Sequence, residues 1–147
     1  MKKWIAILLL VSISLALTAC SLDPITGDDF AQIMVNRDLQ VVDISADESW
    51  AQQVLIAYCD DYKVEFYLLA DRAEAETVYT NVKNNAKNQD GNNFTTEVSG
   101  NNFSRFSMSR NDEYLLIAFV DSTFVYCLTD EQFKDQIDEH FEALGYK

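Results

Sequence analysis

Residues 114–120 read Tyr114-Leu115-Leu116-Ile117-Ala118-Phe119-Val120, a run with no polar group except one phenol hydroxyl. It is too short for a buried helix, is rich in aliphatic and aromatic residues, and lies between the turn-formers Arg110-Asn111-Asp112 and Asp121-Ser122. Such a run predicts a central strand that is apolar on both faces. A chain containing it must cover both faces of a sheet.

The flanking segments supply that sheet. Leu39–Ile44, Val54–Cys59, Tyr62–Leu69, Phe94–Ser99, Phe103–Ser109 and Thr123–Leu128 are further strand-like runs, separated by Asp60-Asp61, Gly100-Asn101-Asn102 and similar turn chemistry. In Tyr62–Leu69, Val64, Phe66 and Leu68 alternate with Lys63, Glu65 and Tyr67, which predicts one buried and one wet face. Residues 84–93 are polar and turn-rich and predict a loop.

Three segments begin with a short oxygen-bearing side chain answered by an acid or amide three positions on, as at a capped helix start. They are Thr26-Gly27-Asp28-Asp29, Asp71-Arg72-Ala73-Glu74 and Thr129-Asp130-Glu131-Gln132. The apolar stripes behind them are Phe30, Ile33 and Met34; Ala75, Val78, Val82 and Ala86; and Phe133, Ile137, Phe141 and Leu144, with Gly145 placed to end the last helix. Ser45-Ala46-Asp47-Glu48 leaves room only for a turn or short helix. The expected fold is α+β, a largely antiparallel sheet with about three helices packed on one face.

Ahead of this body, Met1-Lys2-Lys3 and the apolar stretch Trp4–Leu17 read as an export signal, too short for a stable span of about 20 residues. It ends Leu17-Thr18-Ala19-Cys20, which resembles the bacterial lipobox. The resemblance implies a diacylglycerol thioether on Cys20, cleavage before it, and retention on the extracytoplasmic face of the cell membrane by palmitate-type acyl chains. The expected organisation is a signal peptide over 1–19, a lipidated tether over 20–25 and a single domain over 26–147. Two acyl chains, at about 0.8 kcal/mol per buried CH₂, hold a protein without help from a basic patch.

The whole chain of 147 residues carries 11 basic and 24 acidic side chains, net −13. Removing residues 1–19 takes away Lys2 and Lys3 and no acid, so the remaining 128 residues carry −15. That balance excludes nucleic acid as a partner, since phosphate binding runs on Lys/Arg neutralisation. It also disfavours lying flat on anionic lipid. With 48% apolar residues the body is not an acidic disordered tail.

Candidate chemistry is sparse. His140 is the only imidazole; at 100° per residue it falls within about 20° of Phe133, on the apolar face. It is expected to be a structural histidine satisfied by a backbone carbonyl. Cys59 and Cys127 remain once Cys20 is lipidated, and export permits a disulfide between them; a disulfide and two free thiols are both open. Asp28-Asp29, Asp60-Asp61 and Asp90-Gly91-Asn92-Asn93 match no calcium loop and read as solvated turns. No nucleophile elbow, phosphate loop or His-Glu-x-x-His occurs, so nothing points to catalytic residues, a metal or a cofactor.

The capped first helix, Val64-Glu65-Phe66-Tyr67, Phe124-Val125-Tyr126 and Leu144-Gly145-Tyr146 together resemble small lipoproteins of Gram-positive bacteria. The expected function is a non-enzymatic binding or interaction module, anchored by lipid and meeting an envelope protein or wall component. The alternative is a small-ligand or cation-binding lipoprotein working with a transporter.

Overall fold

The structure, a computed structural model, describes residues 21–89, 91 and 93–146. The leader and Cys20 lie outside the described residues. Seven strands form one sheet: β1 (Gln40–Asp43), β2 (Gln53–Tyr58), β3 (Lys63–Leu68), β4 (Phe94–Ser99), β5 (Phe103–Arg110), β6 (Glu113–Val120) and β7 (Thr123–Asp130). Among the described residues three α-helices accompany them, α1 (Gly27–Val35), α2 (Arg72–Lys87) and α3 (Lys134–Ala143), with 3-10 turns at Ser45–Asp47 and Glu131–Phe133. The strand order is β1-β2-β3-β7-β6-β5-β4 and every neighbouring pair is antiparallel. The fold is α+β.

The helices divide between the two faces instead of sharing one. Tyr114, Leu116, Ala118 and Val120 of β6 pack with Phe30 and Met34 of α1 and Ile137 and Phe141 of α3. Leu115, Ile117 and Phe119 of the same strand pack with Ala75, Tyr79 and Ala86 of α2. The unbroken apolar run requires this: with helices on one side only, three large side chains of β6 would face water, at roughly 1.5–3 kcal/mol each.

Local chemistry fixes the ends of the helices. Thr26 accepts from the Asp29 amide at 3.1 Å while Asp29 accepts from the Thr26 amide at 3.2 Å, a complete capping box. Asp71 accepts from the Glu74 amide at 3.0 Å. α3 ends in a Schellman motif: Gly145, at φ +85°, donates to the Glu142 carbonyl, and Tyr146 donates to that of Phe141. α3 starts later than its sequence signal, because β7 runs on through Asp130 before a 3-10 turn leads into the helix.

The segment read as the tether, residues 20–25, is docked on the body from Leu22 onward. The Leu22 amide donates to Asn102 Oδ1 at 3.0 Å, and Asn102 Nδ2 donates back to the Leu22 carbonyl at 2.7 Å. Asn102 is further held by Asp121 Oδ2 at 2.9 Å, and Leu22 and Ile25 rest against the α1/α3 core. The chain therefore enters at the end of the sheet that carries the β4–β5 and β6–β7 turns. The acidic turns Asp60-Asp61 and Asn111-Asp112 lie at the opposite end.

Candidate functional site

α2 crosses β6 and β7 and leaves the neighbouring part of its face, over β3 and β7, only partly covered. A cleft of about 840 Å³ opens there. Its floor holds Lys63, Glu65 and Tyr67 of β3 and Phe124, Tyr126 and Leu128 of β7; α2 contributes Val78, Val82 and Ala86 as a wall, and Trp50 stands at the rim. Antiparallel register puts Glu65 opposite Tyr126 and Tyr67 opposite Phe124, so an acid lies within a patch of aromatic rings.

The face of β3 expected to be wet is therefore the floor of a cleft. Glu65 is 9% exposed and Tyr67 is half-buried. A carboxylate at that depth needs partners for both oxygens. Lys63 Nζ pairs with Oε1 at 2.7 Å, and the Tyr67 hydroxyl donates to Oε2. The Tyr67 ring lies 5.1 Å from Trp50 and 5.9 Å from Phe124. Trp50 in turn donates Nε1–H to Glu48 at 2.7 Å, bringing a second carboxylate to the rim.

Burial raises the Tyr67 phenol well above its ordinary range, and the Glu65 and Glu48 charges raise it further. Burial and then the Glu65 charge raise Tyr126 likewise. At the other end Arg110 is held by Gln89, by the Ala86 carbonyl at 3.4 Å and by Glu113 at 3.8 Å, so its charge is already engaged.

A second cluster lies on the opposite face. Arg37 Nε donates to His140 Nδ1 at 2.6 Å, which leaves the imidazole proton on Nε2, and that proton is donated to the Tyr62 hydroxyl at 2.9 Å. His140 is thus buried on the apolar face as its spacing predicts, but side chains rather than a backbone carbonyl satisfy it. Burial, then the Arg37 charge, lowers its pKa to about 4, and it stays neutral.

Cys59 and Cys127 are free thiols. Cys59 follows β2 and Cys127 lies in β7, with β3 between them. Two strand spacings come to about 9.5 Å, beyond the 4.4–6.8 Å that a disulfide spans. Burial, then the Glu65 charge, pushes the Cys127 thiol up to about 12.

Asp28 and Asp29 form the first turn of α1, and Asp60-Asp61 forms the β2–β3 turn. Asp90 and Asn92 lie outside the described residues. Among the described residues no group of three or more His, Cys, Asp or Glu is arranged to hold a metal ion. The alternation of Lys63, Glu65 and Tyr67 is that of a solvent face, which hides the cleft in the sequence. The signal present in the sequence is an acid followed directly by two aromatics, Glu65-Phe66-Tyr67, in a strand near the centre of the sheet.

No family model matches the chain, and no curated protein matches it. Among solved structures it is similar to the crystal structure of a GTP binding regulator from Thermotoga maritima. The match has 13% identity and a TM-score of 0.47 over 82% of this chain and 84% of that one. A likeness at that score carries no inference about this chain's ligand.

Proposed function

We propose that this protein is a lipid-anchored, extracytoplasmic binding module whose cleft between α2 and the sheet receives a small ligand. The observation that carries the reading is the cleft itself: about 840 Å³, with an aromatic and aliphatic lining and a few polar groups converging on Glu65. Small-molecule sites are apolar concavities of roughly 300–1,000 Å³ with a few placed polar groups. Of the two functions expected from the sequence, the small-ligand one thus gains the support of a site. The leader and Leu17-Thr18-Ala19-Cys20 support the anchor.

Thermal shift of the full chain against amino acids, sugars, short peptides, amines and divalent cations tests the binding half. A ligand present at a hundredfold its dissociation constant stabilises by about 2.7 kcal/mol, which raises Tm visibly. No shift from any class defeats the reading. Metabolic labelling with palmitate tests the anchor: Cys20→Ala should lose the label and appear in the medium, and a labelled Cys20→Ala chain would overturn it.

A second reading, docking of an envelope protein, is favoured by β4. This edge strand is exposed at every position, with Phe94 81% exposed and Val98 further along the same face. An open edge with apolar side chains invites strand addition. Phe94→Lys together with Val98→Lys would abolish such an interaction and leave ligand binding in the cleft unchanged.

A further inference from the structure

Resting on the reading of the cleft as a ligand site, we infer that its occupant is an organic monocation, an ammonium group carried on an apolar alkyl or aryl body. The charge balance decides this. The aromatic half of the cleft is lined by one acid, Glu65, and one cation, Lys63, and Glu48 adds a further carboxylate where it accepts from Trp50 at the rim. The Lys63 side chain is 57% exposed, whereas that of Glu65 is 12% exposed. The ammonium partner can therefore swing into water while the carboxylate cannot.

An incoming ammonium replaces the Lys63 contact at Glu65 Oε1 and lies against the Trp50, Tyr67 and Tyr126 rings. Their negative faces attract a weakly hydrated cation, an interaction worth about 0.5–2 kcal/mol or more as water is excluded. Lys63 regains full hydration, which suits its compact charge. The rest of the ligand lies along Val78, Val82 and Leu128.

An anionic ligand meets the reverse situation. It would have to take Lys63 from a buried carboxylate and sit beside that carboxylate unpaired. Arg110 offers no relief, because Gln89, the Ala86 carbonyl and Glu113 already occupy it. A hard divalent cation is equally misplaced, since rings supply no oxygen ligands. The chain's net charge of −13 also concentrates cations around it.

Trp50 reports on the site directly, as the chain's only other tryptophan is Trp4. The experiment uses the full chain with Trp4→Phe in nanodiscs of zwitterionic lipid, titrated with benzyltrimethylammonium, with neutral N-benzylacetamide and with phenylacetate. Expected are a saturable change in Trp50 emission with the ammonium, at least about tenfold weaker binding of the amide and none of phenylacetate. Glu65→Gln should weaken the ammonium about tenfold and leave the amide unchanged, while Lys63→Met, which frees Oε1, should tighten it. Should Glu65→Gln fail to fold, the gain in Lys63→Met decides the matter. Equal binding of ammonium and amide, or no gain in Lys63→Met, overturns the cationic class and leaves the cleft as a site. No response to any of the three, together with a flat thermal-shift panel, defeats the cleft reading itself.

Discussion

Arg37 and His140, 103 residues apart in the chain, meet at 2.6 Å, with the guanidinium Nε–H donating to imidazole Nδ1. The contact ties the end of the α1 segment to α3, and Tyr62 completes it from the β2–β3 turn. It exists only while His140 is neutral, because a protonated Nδ1 cannot accept.

This sets a pH dependence of stability. The His140 pKa is lowered from 6.5 to about 4, so the unfolded chain binds the proton more readily than the folded one. Stability from this group is complete above pH 6.5 and is lost as pH falls toward 4, by on the order of 3 kcal/mol below it. His140→Asn keeps an acceptor for Arg37 but cannot titrate. Urea midpoints measured across this range should fall more steeply for the wild type than for the variant, and parallel curves would show that His140 does not contribute the slope.

The two thiols should separate kinetically. Cys59 is partly exposed, whereas Cys127 is 1% exposed with its pKa pushed up to about 12, so its thiolate is scarce. In a Cys20→Ala chain at about pH 8, alkylation followed by mass spectrometry should modify Cys59 first, with Cys127 reacting only in denaturant. Rapid double labelling in buffer would mean that β7 opens readily.

Asp138 holds two groups at once, accepting from Arg105 Nη2 and from the Tyr114 hydroxyl, each at 2.7 Å. Arg105 Nε, buried in the same place, has no partner among the described residues, so Asp138 is the principal compensation for that guanidinium. Asp138→Ala leaves a half-buried cation and a buried phenol unpaired and should cost about 2–4 kcal/mol in urea unfolding. Tyr114→Phe removes only one hydrogen bond and should cost about 1 kcal/mol. Equal costs would indicate that Arg105 finds water instead.

How much of this could be read in advance differs from element to element. The seven strands and three helices of the described residues follow from turn residues, caps and periodicity, since those signals are local, although residues 84–87, which read as loop, form the last turn of α2. The division of helices between faces was implicit in Tyr114–Val120, which demands two covers, but helix amphipathicity alone does not say which cover each helix provides. The cleft depends on where α2 stops covering β3 and β7, a matter of packing between segments far apart in sequence. The same holds for His140: its apolar-face position is periodic, whereas its partners Arg37 and Tyr62 come from other elements. Leu22 reads as tether because nothing near it in sequence announces Asn102.

That clamp makes its own prediction. With Leu22 held to Asn102 by two hydrogen bonds, only Ser21 separates the body from Cys20. With Cys20 carrying the proposed lipid and the protein on vesicles, a spin label at Asn101 should therefore lie near the lipid headgroups and one at Asp61 far from them, as read by lipid-borne paramagnetic relaxation. Asn102→Ala frees the segment and should blur the difference. Equal depths in the unaltered chain would show that the domain tumbles freely.

Two enlargements distinguish the open space of the cleft from the close-packed core. Val82 is half-buried and lines the cleft from α2, whereas Ile137 is fully enclosed in the α1/α3 core. Adding a ring to a close-packed core costs about 1–3 kcal/mol through displaced rotamers and backbone, so Ile137→Phe should be destabilising by that amount. Val82→Phe projects into a volume of about 840 Å³ and should change stability by less than about 1 kcal/mol. Because the new ring occupies the space beside Glu65 and Tyr126, the same variant should lose the Trp50 response to benzyltrimethylammonium. Urea unfolding and the fluorescence titration together check it: a Val82→Phe protein destabilised as much as Ile137→Phe would mean that α2 closes the cleft in solution.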